Sequence, residues 1–195
     1  MPGATSLEIR LNFIDEVRSG IFSKDSRFRG NDENKQRRSF MSAIESKLQE
    51  LGLELPEAAM PAANYVPTMQ SGNQLVVSGQ LPMRGGKPHF IGKVGKEVSL
   101  EDAQACAKLC GLNILAQSKL ALGDLGKIAK LVRLGVFVNA TDDYTDHPKV
   151  ANGVSDLMVE LMGDAGKHAR FAVGVSGLPF GVAVEVDATF ELKQT

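Results

Sequence analysis

The amino-acid sequence predicts an α+β fold: a mixed sheet with two helices on one face, in the chain order β-β-α-β-α-β-β. Three observations lead there. The stretch "NYVPTMQSGNQLVVSGQLP" reads as strand, turn at Ser71-Gly72-Asn73, strand, a β-hairpin. A helical stripe of Ala103, Cys106, Ala107, Cys110, Ile114 and Ala121 follows Ser99, which caps it with Asp102 at the third position. The segment "KIAKLVRLGVFVN" then reads as a strand with two apolar faces, one of Ile128, Val132, Leu134, Val136 and Val138, the other of Ala129, Leu131 and Phe137.

The remaining elements follow from local signals. "MSAIESKLQELGL" is a short helix with Ser42 as N-cap, Glu45 three residues on and Gly52 to stop it. "RGGKPHFIGKVG" is a glycine-rich connection, with a short extra strand expected around His89 to Ile91. Its glycines do not open a helix at phosphate-loop spacing, so they read as turns. A second helix starts near Asp146 with Pro148 in its first turn, and Val150, Val154, Leu157, Met158 and Leu161 form its apolar face. "ARFAVGVSGLPFGVAVEVDATFEL" supplies two final strands, read as a hairpin joined at "SGLPFG". Two helices cover one sheet face. The second face of the 128–139 strand is also apolar, so it needs cover from elsewhere, and another copy of the chain is the expected cover.

Composition sets bounds on function. The chain has 195 residues, 43% hydrophobic and 23% charged, with a net charge of −1. That is an ordinary globular composition, with no basic field to attract nucleic acid or an anionic membrane. No run reaches the ~18 apolar residues of a membrane helix. The N-terminus lacks the basic start and apolar core of a secretory signal, so a cytoplasmic location is expected. Residues 1–40 carry eight Lys/Arg against six Asp/Glu, and "SKDSRFRGNDENKQRRSF" has no sustained period. They read as a flexible extension, with the folded domain spanning 41–195. Cys106 and Cys110 share a helix face. They are expected to be small buried hydrophobes in a reducing compartment, with a redox or metal pair as the alternative. His89, His147 and His168 are scattered, not set at metal-ligand spacing.

Two charges stand out in the apolar final segment: Arg170 and Glu185. Glu185 falls on the polar side of its strand with Asp187, Thr189 and Glu191, so a solvated sheet face would account for it. Arg170 could be an edge charge that discourages aggregation. It could equally use its planar fork on a carboxylate, since Ala172, Val173 and Gly174 leave room beside it.

"NYVPTMQSGNQLVVSGQLP" and "HARFAVGVSGLPFGVAVEVDA" closely resemble the two signature blocks of the RidA/YjgF family, the reactive-intermediate deaminases. The resemblance runs from about Ala58 to Leu192. It implies a chorismate-mutase-like fold, a homotrimer with sites in clefts between subunits, and hydrolysis of small enamine/imine acids, such as 2-aminoacrylate/2-iminopropanoate, to 2-oxo acids and ammonia. It implies neither a metal nor an organic cofactor. The family's carboxylate-binding arginine falls on Arg170, its acidic residue on Glu185, its tyrosine on Tyr65 and its Ser-Gly pair on Ser78 and Gly79. Arg170 is then expected to bind the substrate carboxylate and Glu185 to place the attacking water, with Tyr65, Ser78 and Gly79 lining the pocket. Many members carry a cysteine two residues after the arginine, where this chain has Ala172. "NATDDYTDHPKV" is longer than its counterpart in the best-known deaminases. A binding-only trimer and a ribonuclease or translation inhibitor are the rival functions. The charge balance and the lack of base-stacking aromatics speak against the second rival.

Overall fold

The computed structural model describes residues 42–58 and 64–194. The expected extension at 1–40 lies outside them.

Helix α1, Ala43–Glu50, forms where its cap predicts. The Glu45 N–H donates to Ser42 Oγ at 3.2 Å, and the Ser42 N–H donates to Glu45 Oε2 at 3.0 Å. Strands β1, Thr68–Ser71, and β2, Gln74–Gln80, form a hairpin around Gly72-Asn73. Gly72 adopts φ 58°, which glycine tolerates without a Cβ clash. The glycine-rich connection folds as turns. It holds a two-residue ribbon of β3, Met83–Arg84, and β4, Lys87–Pro88, slightly before the expected strand at 89–91.

Helix α2, Leu100–Leu122, starts at Ser99, whose Oγ accepts the Asp102 N–H at 3.1 Å, and stops at Gly123 in the left-handed region. It is buried on more sides than the expected stripe, because it lies between the sheet and helix α3, His147–Met162. Ala121 departs from that stripe and is exposed; Leu122 is buried in its place. Two glycines let α2 and α3 approach. A Cβ at Gly111 would sit 2.9 Å from Val154 Cγ2, and one at Gly153 would overlap the Gln104 carbonyl.

Strand β5 spans Ile128–Asn139, β6 Ala169–Val175 and β7 Val184–Leu192. The sheet order is β1-β2-β7-β5-β6. This corrects the expected final hairpin. Strand β6 pairs parallel to β5 at the sheet edge, and β7 inserts between β2 and β5, antiparallel to both. Burial explains the choice. Val184, Val186, Ala188 and Phe190 of β7 are at most 1% exposed, which suits a central strand beneath the helices, whereas β6 is largely exposed at the edge. Helix α3 supplies the crossover that a parallel pair needs. The loop between β6 and β7 passes through Phe180 and Gly181, both with positive φ, to reach the centre of the sheet.

Helices α2 and α3 cover one face of this sheet. Beneath them lie Leu75, Val77, Leu134, Val136, Val138, Val184, Val186 and Phe190. Irregularities in β5 near residues 128–133 turn Leu131 onto this face as well, away from the side expected for it. Among the described residues, none covers the opposite face. It presents Met69, Val76, Phe171 and Val173, all exposed, among charged side chains. Among the described residues, no helix is long and apolar enough to cross a membrane.

Candidate functional site

The site builds from β7 outward. Glu185 pairs with Phe137 of β5, and Asp187 pairs with Gly135, which sets both carboxylates on the open face. Beside Glu185, strand β2 breaks its register with β7 between Val77 and Gln80. That break contains Ser78 and Gly79. A Cβ at Gly79 would overlap the Glu185 carboxylate, so the carboxylate rests directly on the Gly79 backbone. The Ser78 N–H donates to Pro67 O at 2.9 Å, and the Gln80 amide donates to the Ser78 and Gly79 carbonyls, each at 3.2 Å. Gln80 is 8% exposed, so this strut is sheltered. Burial, and then the Asp187 charge, push the Glu185 carboxyl above the ordinary glutamate value.

Asp187 has its own partners. Arg133 meets it with Nη1 at 3.2 Å and Nη2 at 3.4 Å, and the Gly135 N–H donates to it at 3.2 Å. Burial raises its carboxyl, against the opposing effects of Arg133 and the Gly135 N–H. The Arg133 guanidinium stacks 5.0 Å from the centre of Phe171, which meets Phe137 edge-on. A Cβ at Gly135 would sit 2.5 Å from Phe171 Cζ and 2.9 Å from Asp187 Oδ1, so only glycine fits this crossing. Arg133 was not singled out from sequence. Its place beside Gly135 and Phe137 shows once the β5 irregularity is known.

Arg170 lies elsewhere. It pairs with Leu134, so its side chain takes the helix side of the edge strand β6. There Nη1 donates to Asn152 Oδ1 at 3.0 Å and to Ser155 Oγ at 2.9 Å, and Nη2 donates to Pro148 O at 3.3 Å. All three acceptors belong to α3. A guanidinium has five N–H donors. Among the described residues, Nε–H and one Nη2–H therefore remain without a partner, and Arg170 is exposed. Farther along this side come Ala172 and Gly174. The His147 ring lies over Gly174, where a Cβ would be 2.6 Å from Nε2.

Within one chain, then, Glu185, Ser78 and Gly79 come together, while Arg170 does not join them. Strand β5 separates Arg170 from Glu185, and they occupy opposite faces of the sheet. Tyr65 precedes β1 and is 54% exposed. Cys106 and Cys110 are free and fully buried, and both thiols face Val184 O. Burial, joined by Cys106 and the Glu185 charge, holds the Cys110 thiol well above its ordinary value, so it is a poor thiolate. This is the buried pair expected from sequence.

The fold is that of a chorismate-mutase-like α+β protein. Residues 45–188 match the family described as "YjgF/chorismate mutase-like, putative endoribonuclease". The chain belongs to this family, the RidA/YjgF family. "Protein TCP17" of Trypanosoma cruzi is 47% identical over 151 residues, covering 77% of this chain and 94% of that protein. A solved protein of unknown function from Agrobacterium tumefaciens is also 47% identical, with a TM-score of 0.71 over 78% of this chain and 94% of its own. A solved "putative endoribonuclease" from Shewanella oneidensis is 37% identical, with a TM-score of 0.74 over 76% of this chain and 99% of its own.

Proposed function

We propose that the protein hydrolyses small imine acids to 2-oxo acids and ammonia at sites shared between subunits of a homotrimer. The observation that carries this reading is the Glu185 carboxylate, seated on the Gly79 backbone in a sheet face that the described residues leave open. A half-buried carboxyl with a raised pKa is suited to take a proton from water and return it. The complementary half is Arg170, clamped through Nη1 yet retaining an unspent Nε–H/Nη2–H pair for a carboxylate. Because one chain holds these halves on opposite faces, the complete site needs Arg170 of one subunit beside Glu185 of its neighbour. The exposed Met69, Val76, Phe171 and Val173 give the neighbour an apolar surface to cover.

The chemistry then follows from placement. Arg170 holds the substrate carboxylate and so fixes the C=N carbon. Glu185 accepts a proton as water adds to that carbon, forming a carbinolamine. That proton passes to the nitrogen, the carbinol O–H proton follows it by way of Glu185, the C–N bond breaks, and ammonia leaves as the carbinol oxygen becomes the 2-oxo group. Water and imine together supply every atom of the products, so no metal or organic cofactor is invoked, and the proposed setting is the cytoplasm. Ser78 and Gly79 form the wall against Glu185, and Tyr65 lines the rim. Holding the reactants in register supplies most of the rate.

The test combines ammonia release from 2-iminopropanoate, generated in situ, with light scattering. Turnover by a trimer is expected. A monodisperse monomer at micromolar concentration would overturn the shared site. Binding of a 2-oxo acid without turnover would mark a binding trimer, and RNA cleavage that survives Arg170→Ala would favour the ribonuclease reading.

A further inference from the structure

We propose that Ser155 and His168 are positioning residues for Arg170, and that they set the affinity of the Arg170 subsite for a carboxylate. The proposal rests on the reading of Arg170 as the carboxylate anchor. Behind the guanidinium runs a chain of hydrogen bonds with one consistent direction. Arg170 Nη1 donates to Ser155 Oγ at 2.9 Å. Ser155 Oγ lies 3.0 Å from His168 Nε2, and His168 Nδ1 lies 2.6 Å from the Gly166 carbonyl. A carbonyl oxygen only accepts, so Nδ1 carries the hydrogen. In the neutral ring Nε2 is then an acceptor. It takes the Ser155 hydroxyl hydrogen, which turns the hydroxyl lone pairs toward Arg170. Each donor in the chain has one acceptor, and hydrogen bonds in series polarise one another.

The function of this chain is orientation. Arg170 is exposed on an edge strand, where a long side chain is free to sample many rotamers. Carboxylate recognition by two parallel hydrogen bonds needs the guanidinium plane fixed before the ligand arrives. The Pro148 carbonyl and Asn152 fix the fork from the start of α3. Ser155 fixes it one turn further on, and His168 lies two residues before the arginine on the same chain segment. The serine hydroxyl thus joins the helix to the strand that carries the anchor. Ser155 and His168 are each only partly buried, and neither belongs to the apolar core, so removing them should spare the fold.

The experiment titrates the full chain with pyruvate, followed by NMR, with pyruvamide as the control lacking a carboxylate. Melting temperature is read in parallel. Ser155→Ala and His168→Leu are each expected to raise the pyruvate Kd about tenfold, the effect of losing one hydrogen bond to a charged group. Pyruvamide binding should not change. Ser155→Thr, which keeps the hydroxyl, and His168→Gln, which keeps an acceptor near Nε2, should recover most of the loss. The double variant should bind no worse than the weaker single, because both act through one chain. If Arg170→Ala abolishes pyruvate binding while Ser155→Ala leaves it unchanged, the positioning role is overturned and the anchor stands. Failure of Ser155→Thr to rescue, with a matching fall in melting temperature, would also overturn it. If Arg170→Ala binds pyruvate as well as the parent chain, the anchor reading falls and takes this proposal with it.

Discussion

The two faces of the sheet use the same covalent device for different ends. Under the helices, the missing Cβ atoms of Gly111 and Gly153 let one helix settle against another, and the neighbours they accommodate are aliphatic side chains and a backbone carbonyl. On the open face, the missing Cβ atoms of Gly79 and Gly135 make room for carboxylates, those of Glu185 and Asp187. The first face is a packed interior in which volume is decisive. On the second, charge is brought close to backbone while one side stays open. Glycine therefore accommodates packing on one face and carboxylates on the other, and the two kinds should respond differently to the same substitution.

The largest expected effect lies at Arg170, the proposed carboxylate anchor, outside both glycine sets. Arg170→Ala should lower kcat/KM for a carboxylate-bearing imine roughly 10²-fold or more, since each lost charge-assisted bond contributes about 1.5–3 kcal/mol. Arg170→Lys should restore a part. An imine with an amide in place of the carboxylate should be a poor substrate for the parent chain, and Arg170→Ala should cost little further. An equal loss on both substrates would show that the arginine is structural.

Glycine substitution tests the contrast itself. Gly79→Ala should displace the Glu185 carboxylate and lower kcat by up to about 10²-fold, the scale of an ångström-sized misplacement, with little change in melting temperature. Gly153→Ala drives a methyl into the Gln104 carbonyl and should cost about 1–3 kcal/mol of stability, with kcat per folded molecule retained. Denaturant melts beside initial rates give both readings. If Gly79→Ala melts as badly as Gly153→Ala, the two faces do not differ as described.

The pH dependence sharpens the contrast further. The folded state raises the Glu185 pKa, so ionising this carboxyl opposes folding. The penalty is absent below the unfolded value, grows as pH rises toward the raised folded value, and is complete above it. Glu185→Gln should therefore match the parent chain in acid and be more stable at neutral pH, while losing turnover. In the parent chain, kcat/KM should fall on acidification at a pH above that of an ordinary glutamate. Urea midpoints and rates between pH 4 and 8 follow both. The smallest effect is expected from deleting residues 1–40, which should leave melting temperature and oligomeric state nearly unchanged.

Much of this was legible locally. The Ser42–Glu45 cap, the Gly72-Asn73 turn, the Ser99 cap and the bounds of β5 rest on contacts within a few residues, and the structure holds them where the pattern places them. Strand order was not legible. Period-two alternation in β7 says which side chains share a face, but not which strands flank it, and neighbours in sequence are the natural first choice for a pair. The same limit hid that Arg170 and Glu185 lie on opposite faces of the sheet. Arg170 and Glu185 stand fifteen residues apart on strands that read as one hairpin, and only the parallel register of β6 shows the arginine turned toward α3. Ser155 lies in no motif, and His168, though it opens the second signature block, reads only as one of three scattered histidines, because the two meet through a helix-to-strand contact.

The central place of β7 also governs how the molecule can be made. A ribosome releases the chain from its N-terminus at roughly 5–20 residues per second. The β1–β2 hairpin emerges early, and β5, α3 and β6 follow as a separate unit. Each presents a raw strand edge, and no strand of one pairs with a strand of the other, because the strand that pairs with both is residues 184–192. Every earlier strand must wait for it. A stop codon just before Val184 would yield two half-sheets with unpaired edges, and quality-control machinery would meet them as unfinished surfaces.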